Sequence, residues 1–300
     1  MTKTKAWITA FRSRTLPLSV SGVITGSLIA LSKSVFDWKV FFSALTTTLF
    51  LQILSNLAND YGDSRNGADN PDRVGPERMV QSGVISATEM KRMIALFAAM
   101  ALVSGIFLLI ISHLALFSVS FFVLLTLGIL SIWAALTYTI GRNPYGYSGW
   151  GDLSVFVFFG LLSVAGTYYL CAGEITTDVF LPAISIGALS VGVLNINNMR
   201  DHVNDKAAGK NTVVVIIGVS KAKYYHTALL ATALMTSLLY MFVNHIHYPG
   251  YLFVLILIPL TQHLLHIFHF QSLPSFDKEL KKLALITILF SIAFGTGINI

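Results

Sequence analysis

Apolar runs of bilayer length recur along this chain, and no other feature restricts its possible folds as much. A helix needs roughly 20 apolar residues to cross about 30 Å of hydrocarbon. By that rule nine spans are predicted, at approximately 15–32, 38–58, 93–112, 114–137, 153–171, 179–196, 224–243, 249–267 and 283–299. In hydrocarbon every backbone polar group must be bonded inside the protein, so spans of this kind are helical. Only 11% of the 300 residues are charged and the mean hydropathy is +0.72, whereas a soluble domain carries about 25% charged residues. The predicted fold class is an all-α polytopic membrane protein, with residues 1–300 forming one integral-membrane domain.

Charge fixes the orientation. With nine spans alternating sides, 18 of the 20 Lys and Arg residues fall on one side, and only Lys33 and Lys39 on the other. The positive-inside rule puts the rich side in the cytoplasm, which predicts a multi-pass membrane protein with its long loops cytoplasmic. The net charge of +6 is accounted for by these loops, so nucleic acid is not the implied partner. The basic N-terminus (Lys3, Lys5, Arg12, Arg14) precedes an apolar stretch as in a signal peptide. No clean small-residue cleavage site follows, so it is read as an uncleaved first helix. Cys171 is the only cysteine, which excludes a disulfide framework and a thiolate metal site.

Two of the spans run into clusters of asparagine and aspartate. The second ends in Asn56-Leu-Ala-Asn59-Asp60-Tyr-Gly-Asp63, and the sixth in Asn195-Ile-Asn197-Asn198-Met-Arg-Asp201-His-Val-Asn-Asp205. Carboxylates at the end of apolar segments are costly unless compensated by a cation. Asp60 and Asp63 are spaced i, i+3, and Asp201 and Asp205 i, i+4, so each pair shares one helical face. Helix capping explains one Asn or Asp per helix end, not four of each at two ends. Hard oxygen donors of this kind suit magnesium, which bridges carboxylates to phosphate oxygens. The expected metal ligands are Asp60, Asp63, Asp201 and Asp205, and the expected substrate a polyanion such as a diphosphate. Asn56, Asn59, Asn197 and Asn198 add amide donors and carbonyl oxygens for substrate. Among the nearby cations, Arg78 and Lys210 are expected to grip diphosphate oxygens, with Arg65 and Arg73 as further candidates. The two similarly ending spans also suggest a four-helix unit used twice, roughly 12–140 and 150–268, plus a final helix.

The segment Tyr138-Thr-Ile-Gly-Arg142-Asn-Pro-Tyr145-Gly-Tyr147-Ser-Gly-Trp-Gly-Asp152 reads either as an interfacial aromatic belt or as one wall of an aromatic-substrate pocket. In the second reading Tyr138 and Tyr145 touch substrate, Arg142 faces an acidic group and Asp152 lies near the metals. His263, His266 and His269 lie three apart, but no Cys or acidic residue nearby in sequence completes a zinc site, so they are read as interfacial. There is no phosphate-cradling glycine loop and no dinucleotide fingerprint, and the acidic clusters lack the ligand spacing of an EF-hand.

These residues resemble a known family. Asn59-Asp60-Tyr-Gly-Asp63 and Asp201-x-x-x-Asp205 are similar to the two aspartate-rich motifs of the UbiA-type intramembrane prenyltransferases. Longer runs resemble the branch acting on 1,4-dihydroxy-2-naphthoate: Gln52 through Asp63, Gly67-Ala-Asp69-x-Pro-Asp-Arg73-x-Gly-Pro76, Thr137 through Tyr147, Leu194 through Asp201, Gly209-Lys-Asn-Thr212 and Arg14-Thr-Leu-Pro17. The resemblance implies about nine transmembrane helices ringed around a central cavity, with magnesium as cofactor. It implies transfer of a polyprenyl group from polyprenyl diphosphate to 1,4-dihydroxy-2-naphthoate, releasing diphosphate and carbon dioxide and giving demethylmenaquinol for menaquinone biosynthesis. Gly67 stands where many relatives using 4-hydroxybenzoate carry a third aspartate, so Asp60 and Asp63 carry over and Asp69 does not.

Three alternatives stay open on sequence. One is the same superfamily with another aromatic acceptor. A second is a phosphoalcohol transferase using CDP-linked substrates, whose acidic residues sit in one continuous stretch rather than two. The third is a cation-coupled transporter, which would carry its carboxylates at the membrane midplane.

Overall fold

The computed structural model describes residues 2–68, 75–269 and 275–300. Among these residues nine helical segments are long and apolar enough to cross a bilayer, as the apolar runs require. A short amphipathic helix, α1 (Lys3–Phe11), comes first, and Arg12 breaks it from α2 (Leu16–Ser32) by adopting a left-handed conformation at φ 52°. Then follow α3 (Trp38–Arg65), α4 (Ala87–Ile111) and α5 (Val119–Thr137). The fifth crossing is composite: α6 (Gly151–Val155), a π-helical segment (Phe156–Leu162) and α7 (Ser163–Ala172). The remainder are α8 (Phe180–Ala207), the short α9 (Val213–Ile217), α10 (Val219–Val243), α11 (Leu257–His269) and α12 (Ser275–Gly297).

Two helices overrun their apolar segments. Sequence reading ends the second and sixth spans at 58 and 196, but α3 continues to Arg65 and α8 to Ala207. An apolar run marks the hydrocarbon thickness, not the last helical hydrogen bond. The Asn/Asp clusters therefore ride on rigid helix ends rather than in loops.

Lipid tails are as apolar as leucine, so helix association depends on close packing and small residues. The buried face of α2 shows this: Ser19, Ser21, Gly22, Thr25, Gly26 and Ser27 are all buried. Ser21 and Thr25 donate their hydroxyls to carbonyls one turn back, Pro17 and Ser21, which satisfies them without a partner helix. At Gly26 a Cβ would lie 2.4 Å from the Val164 carbonyl oxygen, so α2 and α7 touch backbone to backbone. The π segment meets α8 in the same manner, with a Cβ on Gly160 falling 2.5 Å from the Gly187 Cα.

α2 packs on α3, α7 and α12, and α8 packs on α10, α12 and the π segment. α4 lies on α3, and α5 leans on both. The cavity between them has a volume of about 390 Å3. Its apolar wall comes from α4, α5 and the π segment, through residues such as Leu102, Ile106, Gly128, Ile129 and Phe159. Leu102, Ile106 and Ile129 line the cavity and are exposed, so this apolar wall is not sealed by packing.

The histidines of α11 depart from the interfacial reading. His263 is fully buried, with Nδ1 2.6 Å from Glu279 Oε2 and Nε2 2.9 Å from His226 Nε2. His266 reaches the other Glu279 oxygen at 2.9 Å, while His269 is exposed. The acidic partner is supplied by α12, which no inspection of neighbouring sequence would find. No group of three or more His, Cys, Asp or Glu side chains among the described residues is arranged to hold a metal.

Candidate active site

The polar end of the cavity is built by one stripe from each of the overrunning helices. On α3, Gln52, Asn56, Asn59 and Asp63 line it, spaced by four, three and four residues. On α8, Ser190, Leu194, Asn197, Asp201 and Asp205 do the same, with Asn198 beside them. Both are single helical faces by the 3.6-residue period.

Asp60 lies off that stripe and departs from its expected place as a metal ligand. It follows Asn59 by one residue, which turns it about 100° around the helix. It is absent from the cavity lining and 1% exposed. Its two oxygens accept the backbone N–H groups of Met79 and Val80, each at 3.0 Å. Asp60 thus fastens the returning chain to α3, and the residue before those amides is Arg78, whose Nη2 lies 3.1 Å from Asp63 Oδ2.

Asp63 is the hub. Its Oδ1 accepts from the Tyr147 hydroxyl at 2.9 Å and from Lys210 Nζ at 2.8 Å. The same ammonium is 3.6 Å from Asp205 Oδ1 and sits 4.5 Å over the Tyr147 ring. One cation is therefore shared by the two aspartate motifs, which face a single compartment. Backbone bonds hold this corner: Lys210 N–H to the Asp205 carbonyl and Asn211 N–H to the Tyr147 carbonyl, both 2.8 Å.

The asparagines divide between cavity and scaffold. Asn56 donates to the Phe11 carbonyl at 2.9 Å and to Thr15 Oγ1 at 3.1 Å, tying the α1–α2 junction to α3. Asn59 accepts from Thr139 Oγ1 at 3.2 Å. Asn197 accepts from Arg200 Nη2 at 2.8 Å. Asn198 is buried in the cavity wall.

Tyr138 and Tyr145 both line the cavity, with ring centroids 5.3 Å apart in an edge-on arrangement. The Tyr145 hydroxyl donates to the Ala134 carbonyl at 3.0 Å. Burial pushes the Tyr138 phenol well above its ordinary value, and Tyr145 in the same direction, so both remain neutral hydroxyls. Arg142 and Arg65 are exposed and do not line the cavity. Arg142 lies in the turn after α5, and Arg65, six residues past Asn59 at the end of α3, is turned about 240° around the helix from it, so both lie on the exposed surface. Asp152 is also outside the lining and accepts from the Tyr225 hydroxyl at 2.9 Å. Arg73 and Asp69 lie outside the described residues.

Sequence reading missed Tyr147, Arg12 and Gln52 as cavity residues. Tyr147 had a signal, since it belongs to the aromatic segment. Gln52 had one too, falling four residues before Asn56 on the same face.

The chemistry of the donor set suits magnesium, although its carboxylates are not gathered around one point: Asp63 is engaged by Lys210 and Arg78, and Asp201 by Arg200. Three carboxylates (Asp63, Asp201, Asp205) and the amide oxygens of Asn59 and Asn197 are hard oxygen ligands at one end of one cavity. Magnesium usually takes one or two carboxylates and completes its shell with water and phosphate oxygens, so a closed protein cage is not required. Arg12, Arg78 and Lys210 line the same end and suit a multiply charged anion.

A model of the UbiA prenyltransferase family matches residues 19–286. The chain is 42% identical to the 1,4-dihydroxy-2-naphthoate octaprenyltransferase of Haemophilus influenzae, over 99% of this chain and 97% of that protein. It is 45% identical to the Escherichia coli protein of the same name, over 85% and 82% of the two chains. Among solved structures, the apo form of a UbiA homologue from Aeropyrum pernix superposes with a TM-score of 0.67 at 14% identity, covering 100% of this chain and 98% of that one. A UbiA homologue from Archaeoglobus fulgidus bound to GPP and Mg2+ superposes with a TM-score of 0.64 at 14% identity, over 98% and 100%. At such identities the likeness concerns the fold: a ring of helices around a central cavity.

Proposed function

This chain belongs to the UbiA prenyltransferase family, and from that premise we propose that it transfers a polyprenyl group from polyprenyl diphosphate to 1,4-dihydroxy-2-naphthoate. Diphosphate and carbon dioxide leave, and demethylmenaquinol for menaquinone biosynthesis is formed. The observation that carries this reading is the meeting of both aspartate motifs at Lys210, at the polar end of a chamber whose remaining wall is apolar. A molecule with a charged head and a long hydrocarbon tail matches that division.

Lys210 and Arg78 hold the diphosphate oxygens, and Asp63 keeps both cations aimed into the cavity. Such fixed charges stabilise a leaving group without reorganising as its charge develops. Asp63, Asp201 and Asp205, with the Asn59 and Asn197 amide oxygens, would hold magnesium, which would supply the further positive charge that allylic diphosphate needs in order to leave. Asn56, Asn198, Tyr138 and Tyr145 form the wall against which the acceptor ring stacks. The two tyrosines, neutral as hydroxyls, present flat faces and no competing nucleophile. The apolar wall keeps water from the allylic carbon while the electron-rich ring attacks it. Aromaticity is then restored with no net gain or loss of protons: the carboxylate leaves as carbon dioxide, and any proton released from the attacked carbon is matched by one taken up where the carboxylate was. The prenyl tail runs along Leu102, Ile106 and Ile129 into the bilayer.

We assign the protein to the bacterial cell membrane with the aspartate motifs at the cytoplasmic face, which the charge asymmetry of the loops supports. The test is purified protein in detergent, a labelled polyprenyl diphosphate and a panel of aromatic acids, with products read by mass. Prenylated, decarboxylated naphthoate is expected in the presence of magnesium and none after EDTA. Product from 4-hydroxybenzoate with none from the naphthoate would reassign the acceptor. Cation flux in proteoliposomes without any prenylated product would favour a transporter.

A further inference from the structure

We propose that Asp277, at the start of α12, is a positioning residue that acts through Arg200 on Asp201. The inference rests on the magnesium-assisted transfer proposed above and adds a part of the last helix to its machinery. Arg200 and Asp201 are adjacent on α8, so their side chains leave the helix about 100° apart. Asp201 lines the cavity and Arg200 does not. The Arg200 side chain is fully buried, in the direction of α12.

Its guanidinium nevertheless turns back to Asp201. Nε lies 2.8 Å from Asp201 Oδ1 and Nη2 2.7 Å from Oδ2, a two-pronged grip on both oxygens. Nη2 also donates to Asn197 Oδ1 at 2.8 Å. Nη1 donates to Asp277 Oδ1 at 2.8 Å. A planar fork held at both ends has one orientation, so Asp277 sets the plane in which Arg200 presents its donors to Asp201. Asp277 also divides the guanidinium charge. With its carboxylate removed, the buried cation would draw more heavily on Asp201, and Asp201 would be a weaker, less well-aimed ligand. Asp277 meets two more cations, Arg14 Nη1 at 2.8 Å and Lys281 Nζ at 3.1 Å, so a purely structural seam is the competing role. Arg14 precedes α2, and this contact joins the first and last crossings.

The two roles separate in a magnesium titration. Partners that orient a metal ligand from behind are worth about 10–100-fold in metal affinity. In Asp277→Asn the magnesium concentration for half-maximal transfer is expected to rise at least about tenfold, with the naphthoate KM unchanged. A second readout needs no turnover: the rise in melting temperature produced by magnesium with inorganic diphosphate should require correspondingly more magnesium. Asp277→Glu keeps the charge but moves it by one methylene, and is expected to fall between wild type and Asp277→Asn. If the Asn variant does not fold, the Glu variant carries the same test. Arg14→Ala leaves the Arg200–Asp277 bond in place, so it should melt lower yet keep the wild-type magnesium dependence. Equal magnesium shifts in Arg14→Ala and Asp277→Asn, or no shift in Asp277→Asn, would overturn the inference while leaving the proposed function standing. Absence of any magnesium effect on wild-type transfer and melting would overturn both.

Discussion

Asp60 and Asp63 are less than one helical turn apart, yet their surroundings give them different work. Asp63 faces the cavity and gathers Arg78, Lys210 and Tyr147, whereas Asp60 is spent on two backbone amides. Asp63→Asn should keep the fold but lower kcat/KM by about 100-fold or more, the scale of losing a preorganised charged group at a reacting centre. Asp60→Asn places an NH2 against one of two backbone donors. It should destabilise the protein by about 1–3 kcal/mol, visible as a lower melting temperature in detergent at every magnesium concentration. A normal melting temperature in Asp60→Asn would contradict the fastening role. Tyr147→Phe keeps the ring under Lys210 and removes only the hydroxyl bond to Asp63, worth about 1.5–3 kcal/mol for a charged acceptor. A drop of roughly tenfold in kcat, without loss of folding, is expected. At this scale the sequence spoke clearly about type and poorly about direction. The clusters of Asn and Asp were visible, but i, i+3 spacing did not reveal that Asn59 and Asp63, not Asp60, share the cavity face. That depended on where Met79 and Val80 return.

Among the elements, the crossings followed from hydropathy alone, because hydrocarbon leaves a backbone few alternatives to a helix. Their ends did not, since α3 and α8 continue as helix beyond the apolar run. That extension is what makes the site rigid, as its carboxylates project from helix rather than loop. The π-helical turn at Phe156–Leu162 had no signature in the sequence either. It is seated where Gly160 meets Gly187 and the Ala183 carbonyl of α8. A π segment within a helix often accompanies a functional site, and here it supplies Phe158 and Phe159 to the cavity wall. Gly160→Ala would put a Cβ 2.5 Å from the Gly187 Cα, so α8 must move. Overpacking of this kind costs about 1–3 kcal/mol. Because α8 carries Asp201 and Asp205, activity should fall together with melting temperature. Reduced activity at an unchanged melting temperature would argue that the contact matters for chemistry rather than for packing.

For the molecule as a whole, an orientation can be predicted because it sums over many loops, whereas the shape of the cavity could not, because it depends on which neighbours each helix lacks. The same summation makes orientation testable. Lys39 is exposed at the end predicted to lie outside, and Lys221 is exposed at the start of α10 on the side of the aspartate motifs. The chain's single cysteine, Cys171, is buried, so a substituted cysteine on its surface can be read against a silent background. In spheroplasts treated with a membrane-impermeant maleimide, Lys39→Cys should label directly and Lys221→Cys only after permeabilisation. Moving a charged loop across the bilayer is too costly for both orientations to coexist when 18 of 20 basic residues lie on one side. The reverse labelling pattern would place the aspartate motifs outside the cell. Diphosphate substrates made in the cytoplasm could not then reach Lys210 and Arg78, and the proposed transfer would lose its supply.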